Sequence, residues 1–264
     1  MDLVAAKALA MSDEIVLRTQ GLCKRFGGIT ATDQVSLTLP RGARHALIGP
    51  NGAGKTTLIN LLTGVLAPSA GRVELMGRDI AGLAPHRRAA LGLVRTFQIS
   101  QLFATLTPLQ SLALAVAGRR SAAWRWWQPL GADAAIAAEA EALVEQFRLQ
   151  EHALRPTGEL PYGKRRLLEM ALALALRPRV LLLDEPAAGV PAAERADILA
   201  TVAALPAEVA VLLIEHDMDL VFAFARRITV LVDGAVLTEG EPEAIAADAR
   251  VQAVYLGDVG LAHG

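Results

Sequence analysis

The sequence predicts an α/β fold in which a parallel sheet is flanked by helices. Three short apolar runs, at 45–48, 180–183 and 209–214, are typical of strands that are buried on both faces. The first run continues through a glycine-rich turn into an apolar helical segment, which is the order expected of an α/β unit. The chain has 264 residues, enough for one large domain, which we place at 14–264.

Composition excludes several classes of protein. Hydrophobic residues make up 53% of the chain and charged residues 20%, so the chain is not intrinsically disordered. Lys and Arg number 26 against 27 Asp and Glu, which argues against nucleic-acid binding through bulk charge. The single cysteine, Cys23, excludes an internal disulfide and a cysteine-cluster metal site. We expect Cys23 to be buried and the setting to be reduced and cytoplasmic.

The chain shows no membrane-spanning or targeting pattern. A spanning helix needs about 20 mostly apolar residues, and charged residues or proline interrupt the apolar stretches at 167–183 and 198–214. The first ten residues lack a basic start followed by an apolar core, so they do not resemble a signal peptide. We interpret residues 1–13 as a disordered tail or a mis-assigned start.

Before the glycine-rich turn, strands are predicted at 14–19 and 35–39, the second with alternating apolar residues. After it, a helix covers 58–62 and a further strand covers 71–75. The segment 98–161 is rich in Ala, Leu and Glu and has helical periodicity around 133–147, which predicts a helical lobe inserted at about 99–165.

Beyond the lobe, a long helix is predicted at 162–176, with Pro161 near its first turn. Strands at 228–232 and 235–237 flank Asp233-Gly234, the signal for a β-hairpin. The tail at 242–256 is predicted to be helical.

The glycine-rich turn matches the phosphate-loop pattern G-x-x-x-x-G-K-[ST] in full, between a buried strand and a helix. In such a loop the backbone N–H groups converge on phosphate oxygens at a helix N-terminus. Lys55 can bridge the β- and γ-phosphates, and the Thr56 hydroxyl can bind Mg²⁺. The alternative is a turn without a ligand. The residues assigned to nucleotide binding here are Gly49, Pro50, Asn51, Gly52, Ala53, Gly54, Lys55, Thr56 and Thr57.

Two further strands end in polar side chains at the same edge of the predicted sheet. Asp184 ends one apolar strand and is suited to hold Mg²⁺, and Glu185 is suited to polarise an attacking water. His216 follows another strand and is suited to sense the γ-phosphate. The alternatives are an acidic turn that caps a strand and a purely structural histidine.

With these motifs, the chain resembles the ATP-binding subunits of ABC transporters over about 14–257. The resemblance implies a P-loop NTPase of the ABC ATPase type, with an antiparallel β layer near the N-terminus and the inserted helical lobe. Phe26, in Lys24-Arg25-Phe26-Gly27-Gly28, would stack on adenine unless it is a core residue. Gln98, in Arg95-Thr96-Phe97-Gln98, would contact Mg²⁺ and the attacking water and couple the site to the membrane partner, unless it is simply a surface residue.

The family's signature sequence, usually LSGGQ, is altered here to Leu160-Pro161-Tyr162-Gly163-Lys164. Pro161 replaces the serine whose hydroxyl would meet the γ-phosphate of ATP held by the other subunit. Gly163 is retained, so its N–H at a helix start can still face phosphate. We include Tyr162 and Gly163 among the nucleotide contacts. Pro191 stands where the family's D-loop usually has aspartate, and proline has no carboxylate to make the contact of that aspartate across the dimer.

Finer features are similar to the first of the two ATPase subunits of branched-chain amino acid importers. They are the segments 95–98, 184–189 and 255–257, together with Tyr162. Urea or amide importers, lipopolysaccharide exporters and, less closely, soluble non-transport ABC ATPases are the alternatives. A small-molecule kinase would share the phosphate loop but would not need Gln98, Gly163 and His216 at these intervals.

The resemblance implies ATP and Mg²⁺ as cofactors and hydrolysis of ATP to ADP and phosphate. It also implies a head-to-tail homo- or heterodimer with two ATP molecules between the subunits, which we call the ATP sandwich. Transmembrane permease subunits and, indirectly, a periplasmic binding protein are the other implied partners, and nucleic acid is not. The chain would then lie peripherally on the cytoplasmic face of the inner membrane.

Two further sequence features have no role in the ATP-binding and dimerisation functions that the resemblance implies. Trp124, Trp126 and Trp127 either pack in the core of the lobe or meet a helix of a membrane domain. The basic pairs at 87–88, 119–120 and 165–166 are expected on solvated faces.

Overall fold

We describe residues 14–96, 102–120 and 133–261 of a computed structural model. Two sheets with helices around them form an α/β fold, as the sequence predicts. The prediction for residues 1–13 concerns a segment outside these ranges, as do those for Gln98 and the three tryptophans.

An antiparallel sheet forms the first layer, with the strand order β2-β1-β4-β5. Leu17 of β1 pairs with Leu39 on one side and with Leu75 on the other, so apolar residues are in register across three strands. The strands are β1 (Ile15–Phe26), β2 (Ile29–Pro40), β4 (Ala70–Leu75) and β5 (Arg78–Asp79).

The second sheet has the order β10-β9-β3-β8-β7-β6. Strands β9, β3, β8, β7 and β6 run parallel, and β10 pairs antiparallel with β9 through the predicted turn at Asp233-Gly234. Its strands are β3 (Arg44–Ile48), β6 (Leu93–Arg95), β7 (Val180–Asp184), β8 (Ala210–Ile214), β9 (Arg227–Val232) and β10 (Ala235–Gly240).

The helices surround the parallel sheet, and several begin at side-chain caps. Thr107 and Gln110 form a capping box, and Asp133 and Asp217 each accept hydrogen bonds from the first-turn N–H groups of the helix that follows. The helices are α1 (Lys55–Thr63), α2 (Pro85–Ala90), α3 (Pro108–Arg119), α4 (Ala134–Gln146), α5 (Tyr162–Ala175), α6 (Ala192–Ala203), α7 (Met218–Phe224), α8 (Pro242–Ala247) and α9 (Ala249–Leu261).

The core is formed on both faces of the parallel sheet. In β7, Leu181 and Leu183 pack with residues of α3, α4 and α5, whereas Val180 and Leu182 pack with α1 and the antiparallel sheet. This alternation explains why the strand is apolar at every position. The rigid sheet fixes the positions of the polar residues that follow its strands.

The C-terminal tail is helical, as the sequence predicts for 242–256. It is divided into two helices, α8 and α9. The break falls at Asp248, whose backbone is extended and whose carboxylate accepts a hydrogen bond from the N–H of Arg250. The carboxylate caps the second helix in the way expected of aspartate at an N-cap.

Candidate nucleotide-binding site

The phosphate loop, Asp184 and His216 lie at the carboxyl ends of neighbouring parallel strands, whereas Phe26 lies on the antiparallel sheet and Tyr162 and Gly163 lie on α5. The phosphate loop follows β3, His216 follows β8 after one intervening residue, and Asp184 ends β7. Strands β3, β8 and β7 are adjacent in the sheet, and β6 lies next to β7. Ligands of parallel sheets bind at this edge, so the topology brings these residues to one candidate site.

The phosphate loop requires glycine where its backbone approaches other strands closely. Gly54 has a φ of 96°, and a Cβ there would collide with the backbone oxygen of Ala31 in β2. A Cβ at Gly49 would collide with the backbone oxygen of Leu231 in β9. The loop is therefore held between the β1–β2 hairpin and the β9–β10 hairpin.

Lys55 is the first residue of α1, and its side chain turns back over the loop. Its Nζ donates to the backbone oxygens of Gly49, at 2.6 Å, and Pro50, at 2.9 Å. The ammonium group thus lies within the loop at the N-terminal end of α1. Its charge and the positive end of the helix dipole together favour a phosphate group at this position.

Asp184 forms a buried ion pair that the sequence did not predict. Arg95 Nη2 donates to Asp184 Oδ2 at 2.5 Å, and Arg95 Nη1 donates to Asn60 Oδ1 of α1 at 2.8 Å. The pair links β6 and β7 to the phosphate-loop helix. Asp184 thus already has a cation, the Arg95 guanidinium, as its partner. Thr56 lies in the first turn of α1 and carries a hydroxyl group. A carboxylate and a hydroxyl are the oxygen donors that suit Mg²⁺, so these residues fit the ion.

Glu185 has an unusual backbone conformation, with a φ of 46°. A non-glycine residue in the left-handed region costs of order 1–3 kcal/mol, and such strain clusters at functional sites. The N–H of Glu185 donates to the backbone oxygen of Ile214 at 2.9 Å, so the turn after β7 is anchored to the end of β8. This anchor fixes where the half-buried Glu185 leaves the sheet.

Glu215 strengthens the same connection and was not assigned a role from the sequence. Its buried carboxylate accepts hydrogen bonds from the N–H groups of Ala187 and His216, both at 3.1 Å. Burial raises the pKa of Glu215, while these hydrogen bonds oppose the shift. Glu215 therefore holds together the segments that carry Glu185 and His216, and only its long-range contact with Ala187 reveals this role.

His216 and Phe26 both present exposed side chains. The His216 side chain is 68% exposed at the strand-end edge, which leaves it accessible to a ligand. Phe26 is 47% exposed at the tip of the β1–β2 hairpin, so the alternative that it is a core residue is wrong. The Nζ of Lys24 lies 5.0 Å from the centre of the Phe26 ring.

The altered signature segment, residues 160–164, forms the start of α5. Tyr162 is partly exposed, and its hydroxyl donates to the backbone oxygen of Ala188 at 3.3 Å. The N–H of Gly163 donates to Glu194 Oε2 of α6 at 2.8 Å. Both contacts are made within one chain, between the signature segment and the region that follows Glu185.

Two of the basic pairs are not wholly solvated, contrary to the prediction. Arg88 is 1% exposed and Arg166 is also buried. Arg88 donates to four backbone oxygens, and Arg166 pairs with Glu169 at 3.1 Å and lies over the Tyr162 ring. A buried guanidinium needs several acceptors, and two of those of Arg88, in Leu61 and Leu62, lie 27 and 26 positions away, beyond the reach of local sequence patterns.

This fold and this arrangement of strand ends define an ATP-hydrolysing cassette. The family model for ABC transporters matches residues 32–188, and the chain belongs to the ABC transporter family. The prediction of an ATP-binding and ATP-hydrolysing subunit of an ABC transporter is thereby confirmed.

The relatives extend over nearly the whole chain. The high-affinity branched-chain amino acid transport ATP-binding protein BraF of Pseudomonas aeruginosa is 42% identical over 252 residues, covering 92% of this chain and 98% of BraF. The corresponding protein LivG of Escherichia coli K12 is 38% identical over 250 residues, with the same coverage. The predicted resemblance to this group of subunits is confirmed.

Solved structures agree with the fold. An ATP-binding cassette of an ABC transporter in its ADP conformation superposes with a TM-score of 0.80 at 32% identity, covering 92% of this chain and 99% of that one. A nucleotide-free cassette gives a TM-score of 0.78 at 31% identity, covering 91% of this chain and 98% of that one.

Within the described ranges, no helix is both long and apolar enough to cross a membrane.

Proposed function

We propose that this chain is the ATP-hydrolysing subunit of an importer for branched-chain amino acids. The observation that carries the proposal is the arrangement of Lys55, Asp184 and Glu185 around one edge of the sheet, in a chain 42% identical to BraF. No specific observation favours the alternatives, which are urea or amide importers, lipopolysaccharide exporters and soluble non-transport ABC ATPases.

The phosphate loop binds the triphosphate. Backbone N–H groups at the start of α1 and the ammonium group of Lys55 hold the phosphates in a fixed position. Phe26 stacks on the adenine ring, because its exposed side chain lies at the tip of the hairpin whose second strand, β2, approaches the loop at Ala31. The residues we assign to these contacts are Phe26, Gly49, Pro50, Asn51, Gly52, Ala53, Gly54, Lys55, Thr56 and Thr57.

Mg²⁺ supplies charge neutralisation on the phosphates when it is bound. Thr56 and Asp184 would hold it, with Gln98 as a further contact. Glu185 orients the attacking water and accepts a proton from it, because its position after β7 is fixed by the bond to Ile214. His216 contacts the γ-phosphate from the end of β8.

The second half of each site comes from another ATPase subunit in the ATP sandwich. Tyr162 and Gly163 of this chain face the nucleotide held by the partner, with the Gly163 N–H as the phosphate contact. Closure of the ATP sandwich moves the attached permease subunits, and hydrolysis reopens it. The chain lies at the cytoplasmic face of the membrane, and a periplasmic binding protein delivers the amino acid to the other face.

Transport by the reconstituted system tests this proposal. The chain is assembled in vesicles with the proposed partners: permease subunits, a second ATPase subunit and a periplasmic binding protein. Uptake of leucine, isoleucine or valine should require ATP and should be lost with Lys55→Ala, since each charge-assisted hydrogen bond to phosphate is worth ~1.5–3 kcal/mol. ATP-dependent uptake of another solute instead would contradict the assigned substrate, and undiminished uptake with Lys55→Ala would contradict the assigned site.

A further inference from the structure

We propose that Glu194 is a positioning residue of the ATP sandwich. In the separated chain, its carboxylate accepts the hydrogen bond from the Gly163 N–H. The γ-phosphate of the ATP held by the partner displaces the carboxylate when it reaches that N–H. Glu194 therefore sets how much ATP is needed for closure. This inference rests on the proposed function, because it concerns the phosphate contact that we assign to Gly163.

The contact between Gly163 and Glu194 is direct and close. The Gly163 N–H donates to Glu194 Oε2 at 2.8 Å. A Cβ added at position 163 would collide with the same carboxylate oxygen, so the two groups approach as closely as glycine permits. An amide has one hydrogen to donate, so the carboxylate and a phosphate oxygen compete for it.

The altered signature explains why Glu194 takes this place. The N-cap of α5 is Pro161, and no side chain of the N-cap accepts a hydrogen bond from the first turn. The first N–H groups of a helix need acceptors from outside the helix. The carboxylate of Glu194, on the neighbouring helix α6, supplies one, and its negative charge suits the positive end of the helix dipole.

The two helices stay connected when this contact opens. Lys164 Nζ of α5 lies 3.1 Å from Asp197 Oδ2 of α6, and this contact does not involve the Gly163 N–H. Glu194 is half-buried in the first turn of α6, where the side chain has access to solvent. Rotation of this one side chain is therefore enough to expose the amide, without separation of α5 from α6.

Charge determines the direction of the effect. A carboxylate beside the Gly163 amide repels an incoming phosphate as well as competing with it. Neutralising Glu194 should therefore make closure easier, even though it weakens a contact within the chain. A residue with only a structural role would have the opposite effect, because loss of a helix cap loosens the segment that must receive the phosphate.

The test measures ATP-dependent assembly in the Glu185→Gln background, where hydrolysis is slow. The chain is titrated with ATP, alone and with the second ATPase subunit, and dimer formation is followed by light scattering. Adding Glu194→Gln should lower the ATP concentration for half-maximal assembly about three- to tenfold, the range expected from exchanging a charged for a neutral hydrogen bond. Binding of a fluorescent ATP analogue to the separated chain should not change, because Glu194 is not part of that chain's own phosphate loop.

Asp197→Asn is the matched control. It removes a carboxylate from the same helix and the same junction with α5 but leaves the Gly163 N–H contact in place. The ATP concentration for half-maximal assembly should therefore stay within twofold of the value for the parent. Glu194→Ala, with thermal unfolding measured in parallel, separates loss of charge from loss of fold. An unchanged or higher midpoint in Glu194→Gln with a native melting temperature would overturn the inference. Absence of ATP-dependent assembly in the parent, alone and with its partner, would instead overturn the proposed ATP sandwich and the inference with it.

Discussion

The ion pair between Arg95 and Asp184 is the main electrostatic contact inside the candidate site. Both side chains are largely buried, and Arg95 also donates to Asn60, so one guanidinium connects two strands and the phosphate-loop helix. Replacing Arg95 alone leaves the carboxylate in a buried position without its partner. Charges in this situation are costly because the surrounding protein cannot solvate them as water does.

We predict that Arg95→Met lowers the free energy of unfolding by roughly 3–5 kcal/mol. Chemical denaturation of the nucleotide-free chain measures this change. Arg41→Met is the control, because Arg41 pairs with Glu14 at 3.7 Å on the surface, where a pair is worth about 0–1 kcal/mol. Equal losses in the two variants would show that the Arg95 pair contributes no more than a surface contact.

At the residue scale, local patterns were enough to select two of the residues that the structure places at one edge of the parallel sheet. Lys55 belongs to a contiguous motif, and Asp184 follows directly from an apolar strand. Glu194 and Glu215 could not be predicted, because each acts on the backbone of a residue about 30 positions away. Sequence spacing carries no signal for such contacts until the sheet order and helix packing are known.

Helix α1 carries the phosphate loop at its N-terminus and is fixed at its C-terminus by Arg88. The buried guanidinium donates to the backbone oxygens of Leu61 and Leu62 in α1 and to those of Ala81 and Leu83, at 2.7–2.9 Å. Carbonyls at a helix C-terminus lack partners within the helix, and a cation there is favoured by the dipole. Arg88 thus joins the helix to the segment before α2.

Arg88→Met should destabilise the chain by about 3 kcal/mol or more, because several buried carbonyls lose their donors at ~1–3 kcal/mol each. Thermal or urea unfolding provides the measurement. The neighbouring residue Arg87 is exposed, and Arg87→Met should change the stability by less than about 0.5 kcal/mol. If both variants unfold alike, the four hydrogen bonds do not stabilise α1 as inferred.

Strand β3 contains a buried histidine that makes stability depend on pH. Burial lowers the pKa of His45 from 6.5 to about 4, with Glu239 raising it and Arg227 lowering it to smaller extents. The hydroxyl of Thr229 donates to Glu239, so it accepts from Nε2 of His45, at 2.7 Å. The neutral ring is therefore the form that fits the folded chain.

Because the folded pKa of His45 lies below the unfolded value, the unfolded chain binds the proton first as the pH falls. The associated stability is complete above pH 6.5 and is lost progressively toward pH 4, by roughly 3 kcal/mol. Comparing the pH dependence of unfolding in wild type and His45→Gln isolates this contribution, and His86→Gln, at an exposed position, is the control. Parallel curves for wild type and His45→Gln would contradict the assignment.

At the element scale, four of the five parallel strands, β3, β7, β8 and β9, were predicted close to their observed bounds, whereas the short strand β6 was not predicted. Strand β7 is apolar throughout because both of its faces are covered, and this pattern is visible without the structure. The break at Asp248 was missed, because the apolar spacing continues through it and only the capping contact with Arg250 shows where the second helix begins.

For the whole assembly, the altered signature predicts that the two ATP sites of a heterodimer are unequal. Pro161 has no hydroxyl and Pro191 no carboxylate, and both losses affect the ATP on the partner's phosphate loop. A neutral hydrogen bond is worth ~0.5–1.5 kcal/mol, so each lost contact should slow that site about three- to tenfold. The site built on Lys55, Asp184 and Glu185 should turn over faster.

Disabling the catalytic glutamate of each subunit in turn distinguishes the sites. The assembled transporter should retain more ATPase activity when Glu185 is intact than when only the partner's glutamate is intact. Equal residual rates in the two single variants would contradict unequal sites, and would indicate that Tyr162, Gly163 and the dipole of α5 are sufficient for the contact.

In the proposed mechanism, Glu185 activates water at a nucleotide site formed by this chain. Phosphate release by the transporter assembled with Glu185→Gln, measured together with retained ATP, tests this role. The amide cannot accept the proton, so hydrolysis at this site should slow by ~10²–10⁴ while ATP stays bound and the dimer stays closed. Phosphate release at the wild-type rate, with ATP no longer retained, would contradict the claim and assign the role of the base to another group.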